Sequence, residues 1–289
     1  MSRVFDALRQ SEQERTGNTE QVATLPSEAP DLLRGMEDQS VGIGSMELLH
    51  PHPEPSGRIV CNSPELTLGA EKFRLLAIRL KLMNESKPVQ AIVVTSSIAE
   101  EGKSCTSVNL AFTLARSTGQ KVLLVEGDLR RPVQSENLGI PQKPGLTEYL
   151  RSTDKASQFI YKIDELPLWF MPAGFCDENA ADLLQTARAP ELMTRLRTWF
   201  DWIVIDAPPL LPLADANIWS RLADGILLVV RQGKTPKRML REGLESLHDA
   251  NILGIVFNDS TGKDAPYYAN YAYTNARRRE PAGNNGAGD

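Results

Sequence analysis

The sequence predicts an α/β fold in which a mostly parallel sheet carries helices on both faces. Apolar runs of strand length alternate with stretches of helical periodicity, which is typical of sheets buried on both sides. The predicted strands cover residues 90–95, 121–126, 167–171, 202–206, 225–231 and 252–257. A helical pattern from Leu66 to Met83 precedes them. Ligands of such folds bind beyond the carboxyl ends of the strands, so functional residues are expected there.

Length and composition fit one large globular domain. The chain has 289 residues, 41% of them apolar, and a net charge of −5. No apolar run is long enough to span a membrane and the start does not resemble a signal peptide, so a cytoplasmic location is expected. The acidic balance gives no general affinity for nucleic acid, and no nucleic-acid partner is expected. The cysteines form no Cys-x-x-Cys pair, which argues against a disulfide framework, a zinc site or an iron–sulfur cluster.

Shifts in composition predict the domain boundaries. Residues 1–60 are rich in Pro, Gly, Ser and acidic residues and are expected to form a disordered tail, because they bury too little surface to order themselves. The stretch from His50 to Pro55 is the least foldable part of it. The folded domain is expected to span residues 61–262, and residues 263–289 are expected to form a second, flexible tail.

The link between the first strand and the next helix has the pattern of a phosphate-binding loop. It ends in Gly102, Lys103 and Ser104, although Ser97 stands where the pattern usually has its first glycine. Backbone N–H groups of such a loop cradle phosphates at a helix N-terminus, the lysine reaches the β/γ oxygens, and the hydroxyl holds Mg²⁺. The residues predicted to bind ATP here are Ser97, Glu100, Glu101, Gly102, Lys103, Ser104 and Cys105.

Acidic residues lie at the ends of two other strands. Glu126 and Asp128 are two residues apart, where strand alternation gives them the same facing, and Asp206 ends a later strand. An acid at the tip of an apolar strand is costly to bury without a cation, and Mg²⁺ beside Ser104 and Lys103 would supply one. For each acid alone, a helix cap or a turn residue is the alternative.

Asn258 follows the last predicted strand at the open edge of this site. Its amide can offer both a donor and an acceptor to the edge of adenine, so we expect it to bind the base. The alternative is a turn residue before Asp259 and Ser260.

Three motifs together resemble the Walker A, A′ and B boxes of the bacterial tyrosine kinases of exopolysaccharide synthesis. They are the loop through Ser104, the segment Glu126-x-Asp128-x-Arg130, and Ile203 to Pro209 with Asp206. The resemblance, from about Glu71 to Tyr273, implies a P-loop NTPase fold of the deviant-Walker type found in MinD- and ParA-like ATPases. It implies ATP and Mg²⁺ as ligands. The catalytic residues it implies are Lys103, Asp128, Arg130 and Asp206, and the metal contacts are Ser104, Asp128 and Asp206.

The family also implies autophosphorylation of a C-terminal tyrosine cluster. Four of the six tyrosines, Tyr267, Tyr268, Tyr271 and Tyr273, lie within seven residues. Their surroundings lack the alternation of a core strand, so an exposed tail that enters a neighbour's active site is favoured over a buried aromatic patch. These four residues are the predicted phosphate acceptors.

Two departures from the family pattern concern the metal site and assembly. Glu126 stands where the family usually has the first Asp of its A′ box, which lengthens the side chain by a methylene. Glu71 and Arg74 match the family's oligomerisation motif Glu-x-x-Arg-x-x-Arg, but Ala77 takes the last position. The resemblance still implies a homo-oligomer. It also implies a transmembrane polysaccharide co-polymerase or activator that recruits the chain to the inner face of the membrane.

Two other functions compete with the kinase. A partitioning or septum-positioning ATPase of the same fold would carry a further lysine where this chain has Ile98. A catalytically weak protein that binds ATP only to regulate polysaccharide export would fit the change at Glu126. Phosphotyrosine on purified protein supplied with ATP and Mg²⁺ separates the three.

Overall fold

The structure, a computed structural model, describes residues 46–53, 59–61, 67–164, 166–177, 179–212, 215–247 and 250–259. Within these residues the strands are β1 Leu48–Leu49, β2 Ala91–Ser96, β3 Val122–Glu126, β4 Tyr161–Ile163, β5 Leu168–Met171, β6 Trp202–Asp206, β7 Gly225–Arg231 and β8 Ile252–Asn258. The α-helices are α1 Leu68–Ser86, α2 Lys103–Thr118, α3 Gln134–Leu138, α4 Leu146–Arg151, α5 Ala180–Leu184, α6 Arg188–Trp199, α7 Asp215–Leu222 and α8 Lys237–Ser246.

These strands form one sheet in the order β1-β4-β5-β3-β6-β2-β7-β8. The strands from β5 to β8 in this order pair in parallel, and β4 runs antiparallel to β5. The mostly parallel α/β fold is therefore confirmed. The register sets Glu126 at the end of β3 opposite Asp206 at the end of β6. Because parallel strands end at the same edge, the loop after β2 meets these acids there.

Two apolar cores lie on the opposite faces of the sheet. Alternate residues of one strand divide between them: Leu123 and Val125 of β3 join one core, and Val122 and Leu124 join the other. The first core includes residues of α4, α5, α6 and α7, and the second includes residues of α1 and α2. The apolar residues that predict α2 from the sequence are all buried: Val108, Leu110, Ala111, Leu114 and Ala115. Burial on both faces fixes the strands that carry the functional residues.

Residues 46–53 correct the prediction of a disordered tail over residues 1–60. Here Leu48–Leu49 forms β1, which pairs in parallel with β4. The His52 amide donates to the carbonyl of Leu138 at 3.0 Å, and Leu49 is only 7% exposed. The edge strand β4 offers unpaired backbone groups that this short segment satisfies, a tertiary contact that composition cannot reveal. Residues 1–45 and 54–58 lie outside the described residues, so the prediction for them stays untested.

β4 is a strand that the sequence reasoning missed, because three residues are too few to show a period. The ends of the six predicted strands lie within one residue of the ends of the observed strands. No helix in the described part of the chain has the length and hydropathy needed to cross a membrane.

Candidate nucleotide-binding site

The predicted phosphate loop connects β2 to the first residue of α2, Lys103. Gly102 has a φ of +93°, and a Cβ atom built on it would lie 2.0 Å from Nδ2 of Asn258. The left-handed backbone favours glycine at this position, and a Cβ atom here would displace the Asn258 side chain. The loop therefore enters the helix in a conformation that the Gly-Lys-Ser sequence is suited to adopt.

Lys103 lies between two of the predicted acids. Its Nζ is 2.9 Å from Oδ2 of Asp128 and 3.8 Å from Oδ1 of Asp206. Burial lowers the pKa of Lys103, but attraction by Asp206 and Asp128 outweighs this effect and raises the pKa above its usual value. The lysine is thus charged at neutral pH and fixed at the N-terminus of α2.

Asp206 is 1% exposed and binds several polar groups. The Ser107 hydroxyl donates to its Oδ1 at 3.2 Å, the Gln134 Nε2 donates to its Oδ2 at 2.8 Å, and the Ser104 hydroxyl is near enough to influence its pKa. Burial raises the pKa of Asp206, while Lys103, Ser104 and Gln134 oppose that shift. Asp206 and Ser104 are therefore neighbours, as the predicted metal site requires.

The oxygen donors at this position fit Mg²⁺ bound together with phosphate. The part of the chain that the structure describes has no group of three or more His, Cys, Asp or Glu side chains that could hold a metal. Mg²⁺ usually takes one or two carboxylates and completes its shell with water and substrate phosphate. Gln134 Oε1 is buried without a hydrogen-bond partner among the described residues, and such an acceptor suits a water ligand of the metal.

Glu126 is bonded to different groups from Asp128. β3 ends at Glu126, and the amide of the next residue, Gly127, donates to the Asp206 carbonyl at 2.8 Å. Glu126 accepts hydrogen bonds from the backbone amides of Gln134 and Ala173. Burial raises the pKa of Glu126 to about 7, although these two bonds act in the opposite direction.

Comparisons with known proteins assign this geometry to a family. No family model matches the chain. The tyrosine-protein kinase YwqD of Bacillus subtilis (strain 168) is 30% identical over 217 residues, which cover 74% of this chain and 90% of YwqD. The chain belongs to the bacterial tyrosine-protein kinases. The succinoglycan biosynthesis transport protein ExoP of Rhizobium meliloti (strain 1021) is a second relative of this kinase. The two are 31% identical over 219 residues, which cover 74% of the kinase and 28% of ExoP.

Solved structures agree with the assignment. The crystal structure of the chimerical protein CapA2B2 matches the kinase with a TM-score of 0.67 and 26% identity, over 79% of this chain and 99% of CapA2B2. The septum site-determining protein MinD of Pyrococcus horikoshii OT3, solved with Mg-ADP, matches with a TM-score of 0.50 and 23% identity over 63% of this chain and 76% of MinD. The likeness to MinD shows the fold alone.

Side chains from two neighbouring elements support the phosphate loop of the kinase. Glu101 is 2% exposed, accepts from the Ile98 amide at 3.1 Å, and is hydrogen-bonded to the Thr235 hydroxyl. The Asn258 side chain donates from Nδ2 to the Glu101 carbonyl at 2.9 Å. Asn258 therefore lies at the loop, as the sequence predicts, but its amide nitrogen binds protein backbone.

The remaining predicted loop residues take different positions. Ser97 is fully buried, and a Cβ atom built on Gly243 of α8 would lie 3.1 Å from its Oγ. The Asn109 amide donates to Cys105 Sγ at 3.5 Å, on the first turns of α2. Glu100 has a φ of +65°, and its carbonyl accepts from the Arg231 guanidinium at 3.4 Å. Ser97 therefore packs the loop against α8 instead of presenting its side chain to solvent.

Arg130, predicted to be catalytic, forms a two-point ion pair with Asp215 at the start of α7. The Nε–Oδ2 distance is 2.6 Å and the Nη2–Oδ1 distance is 3.2 Å. Nη2 also donates to Asn179 at 3.1 Å. The guanidinium thus joins the A′ segment to α7, and a catalytic role for Arg130 stays a prediction.

The oligomerisation motif lies on α1, where Glu71 and Arg74 form an ion pair. Ala77 is 1% exposed and faces the core, so a longer side chain would not fit there without repacking. The predicted phosphate acceptors Tyr267, Tyr268, Tyr271 and Tyr273 lie outside the described residues.

Gln134 is a functional candidate that the sequence reasoning missed. It is fully buried, and its Nε2 binds both the Ser104 carbonyl and Asp206. An uncharged residue six positions beyond Asp128 belongs to no recognised spacing pattern. The Pro132-Val133 pair that precedes a short helix is the only local signal of its place.

Proposed function

We propose that this kinase transfers the γ-phosphoryl group of ATP to tyrosines in the C-terminal tail of another copy of the chain, with Mg²⁺ as cofactor. One observation carries the proposal: Lys103 Nζ stands between Asp128 and Asp206, at 2.9 and 3.8 Å, where the phosphate loop enters α2. A buried cation at a helix N-terminus is suited to polyphosphate. The acceptors would be Tyr267, Tyr268, Tyr271 and Tyr273.

Each residue of the cluster has a proposed task. Lys103 would stabilise the negative charge on the phosphoryl group during transfer. Asp128 would accept the tyrosine proton, since its carboxylate is held at the site by Lys103 and by the Arg131 amide. Ser104 and Asp206 would hold Mg²⁺, which neutralises phosphate charge when bound.

The cellular role that we propose is regulation of exopolysaccharide or capsule polymerisation and export. The support is the relative ExoP, which is named for succinoglycan biosynthesis and transport and aligns with this chain over 28% of its length. We propose that a separate transmembrane co-polymerase or activator takes, for this kinase, the place of the part of ExoP that does not align with it. That partner would recruit the kinase to the inner face of the membrane.

The test is detection of phosphotyrosine on the purified full chain after incubation with Mg²⁺ and ATP. Mass spectrometry should locate phosphate on the four tail tyrosines. ATP hydrolysis without phosphotyrosine would favour the partitioning-type ATPase, and ATP binding with neither activity would favour the regulator. A Lys103→Met chain is the control for a contaminating kinase.

A further inference from the structure

We propose that Glu126 and Gln134 form a brace that positions the metal side of the nucleotide site. Glu126 fixes the start of α3, and Gln134 extends from that point to hold Asp206 and the carbonyl of Ser104. Glu126 is then a positioning residue that acts through Gln134, although it occupies the place of an acid in the A′ box. The inference rests on the proposed function, since it concerns the same site.

The two carboxylate oxygens of Glu126 are engaged by different segments. Oε1 accepts from the backbone amide of Gln134 at 2.5 Å, and Oε2 accepts from the backbone amide of Ala173 at 3.0 Å. Glu126 is 1% exposed, so these bonds replace water for a buried carboxyl group. The side chain therefore ties the start of α3 to the segment that follows β5.

The extra methylene of glutamate matters to this arrangement. A carboxylate that accepts backbone amides from two different segments must reach both, and shortening the side chain by about 1.5 Å would open at least one bond beyond the normal range. This is a physical reason for the glutamate at position 126, where the bacterial tyrosine kinases usually have aspartate.

Gln134 carries the effect of Glu126 to the metal side of the site. Its Nε2 donates to the Ser104 carbonyl at 2.9 Å and to Asp206 Oδ2 at 2.8 Å. Both partners are acceptors, so the nitrogen must face them and Oε1 must point away. Oε1 is buried and has no hydrogen-bond partner among the described residues. The amide nitrogen thus joins α2 to β6.

If the brace exists, replacing Glu126 or Gln134 should weaken the binding of nucleotide with Mg²⁺ more than the binding of nucleotide alone. Gln134 holds Asp206 and the residue Ser104, which are the proposed metal ligands, whereas it has no bond to Lys103 among the described contacts. Residues that orient metal ligands typically change metal affinity by about 10- to 100-fold when they are replaced. A residue needed only for folding would not separate the two affinities.

The experiment measures the affinity of the full chain for ADP by titration calorimetry, with and without Mg²⁺. Glu126→Gln keeps the side-chain volume but offers an amide donor where an acceptor is needed. Gln134→Ala removes the bridge. Glu136→Gln, an exposed acid on the same short helix, is the matched control. We expect about a tenfold loss of Mg²⁺–ADP affinity in the first two variants, a smaller loss without Mg²⁺, and no change in the control.

The double variant decides whether Glu126 acts through Gln134. With Gln134→Ala present, Glu126→Gln should cost little further affinity, because the bridge is already gone. If the double variant loses Mg²⁺–ADP affinity by the product of the two single-variant losses, the two residues act independently and the brace is wrong. Unchanged Mg²⁺–ADP affinity in Gln134→Ala would also overturn it. If Glu126→Gln does not fold by circular dichroism, Glu126→Asp takes its place in the cycle with the same expected result. If the wild-type chain itself binds no Mg²⁺–ADP, the proposed function fails instead.

Discussion

Nζ of Lys103 lies 2.9 Å from Oδ2 of Asp128, so the lysine of the phosphate loop is paired with an acid that follows a different strand. Both side chains are nearly buried, with exposures of 8% and 4%. The pairing keeps the lysine charged and places the carboxylate beside the position expected for the transferring phosphate. Two motifs that are separate in the sequence therefore form one chemical unit.

Lys103→Met should abolish ATP-dependent tyrosine phosphorylation while the fold is retained. Met preserves much of the side-chain volume but removes the cation that stabilises the transferring group. Phosphotyrosine detection measures the activity, and circular dichroism checks the fold. Undiminished phosphorylation in a folded Lys103→Met protein would remove Lys103 from the mechanism.

Asp206→Asn and Asp128→Asn should affect different steps. Asp206 contacts Ser104 and Gln134, so its loss should weaken Mg²⁺–ATP binding by about tenfold or more. Asp128→Asn should leave this affinity within a few-fold and reduce phosphorylation by about 100-fold or more, since a proton acceptor is lost. Calorimetry and single-turnover phosphorylation measure the two quantities. Equal losses of affinity would show that the division of roles is wrong.

Asn258→Ala should reduce both the affinity for ATP and the preference for ATP over GTP. The affinity falls because the hydrogen bond to the Glu101 carbonyl is removed, a net loss of about 1 kcal/mol, or roughly fivefold. The preference falls because the side-chain oxygen could accept from the adenine amino group. Competition between the two nucleotides gives the ratio. A lower affinity with an unchanged ratio would leave Asn258 as a support of the loop only.

The contribution of Glu126 to stability should depend on pH. Burial raises its pKa from 4.5 to about 7, so the unfolded chain releases this proton first as the pH rises. The stabilising contribution is thus present below pH 4.5, declines between pH 4.5 and about 7, and is constant above that. Denaturant unfolding of wild type and Glu126→Gln, without metal or nucleotide, should give a difference in unfolding free energy that falls by about 3 kcal/mol over this range. A difference independent of pH would contradict the raised pKa.

The sequence was sufficient for the parallel sheet and for the meeting of the phosphate loop with Asp128 and Asp206. Those predictions depend on strand periodicity and on the rule that parallel strands end at one edge. It was not sufficient for the place of Gln134 or for the partners of Glu126, because these depend on a turn after β3 and on backbone amides from distant segments. Nor could it place β1, since a two-residue strand is stabilised by its partner and has no pattern of its own.

The most direct test of the central claim is a mixing experiment with two full-length chains. One carries Lys103→Met and keeps its tail tyrosines. The other keeps Lys103 but carries phenylalanine at all four acceptors, Tyr267, Tyr268, Tyr271 and Tyr273. Only transfer between chains can place phosphate on the Lys103→Met chain, so that chain should be labelled when Mg²⁺ and ATP are added to the mixture.

Phosphorylation should then loosen the association of the chains. Each phosphate adds about −1.5 to −2 charges, and the site proposed to receive the tail contains Asp128, Asp206 and, when it is bound, the nucleotide.

The mixing experiment has a clear expected result. The account predicts phosphotyrosine on the Lys103→Met chain in the mixture and none when that chain is incubated alone. An unlabelled Lys103→Met chain, beside an unmutated chain that does label its own tail, would contradict transfer between subunits through this site.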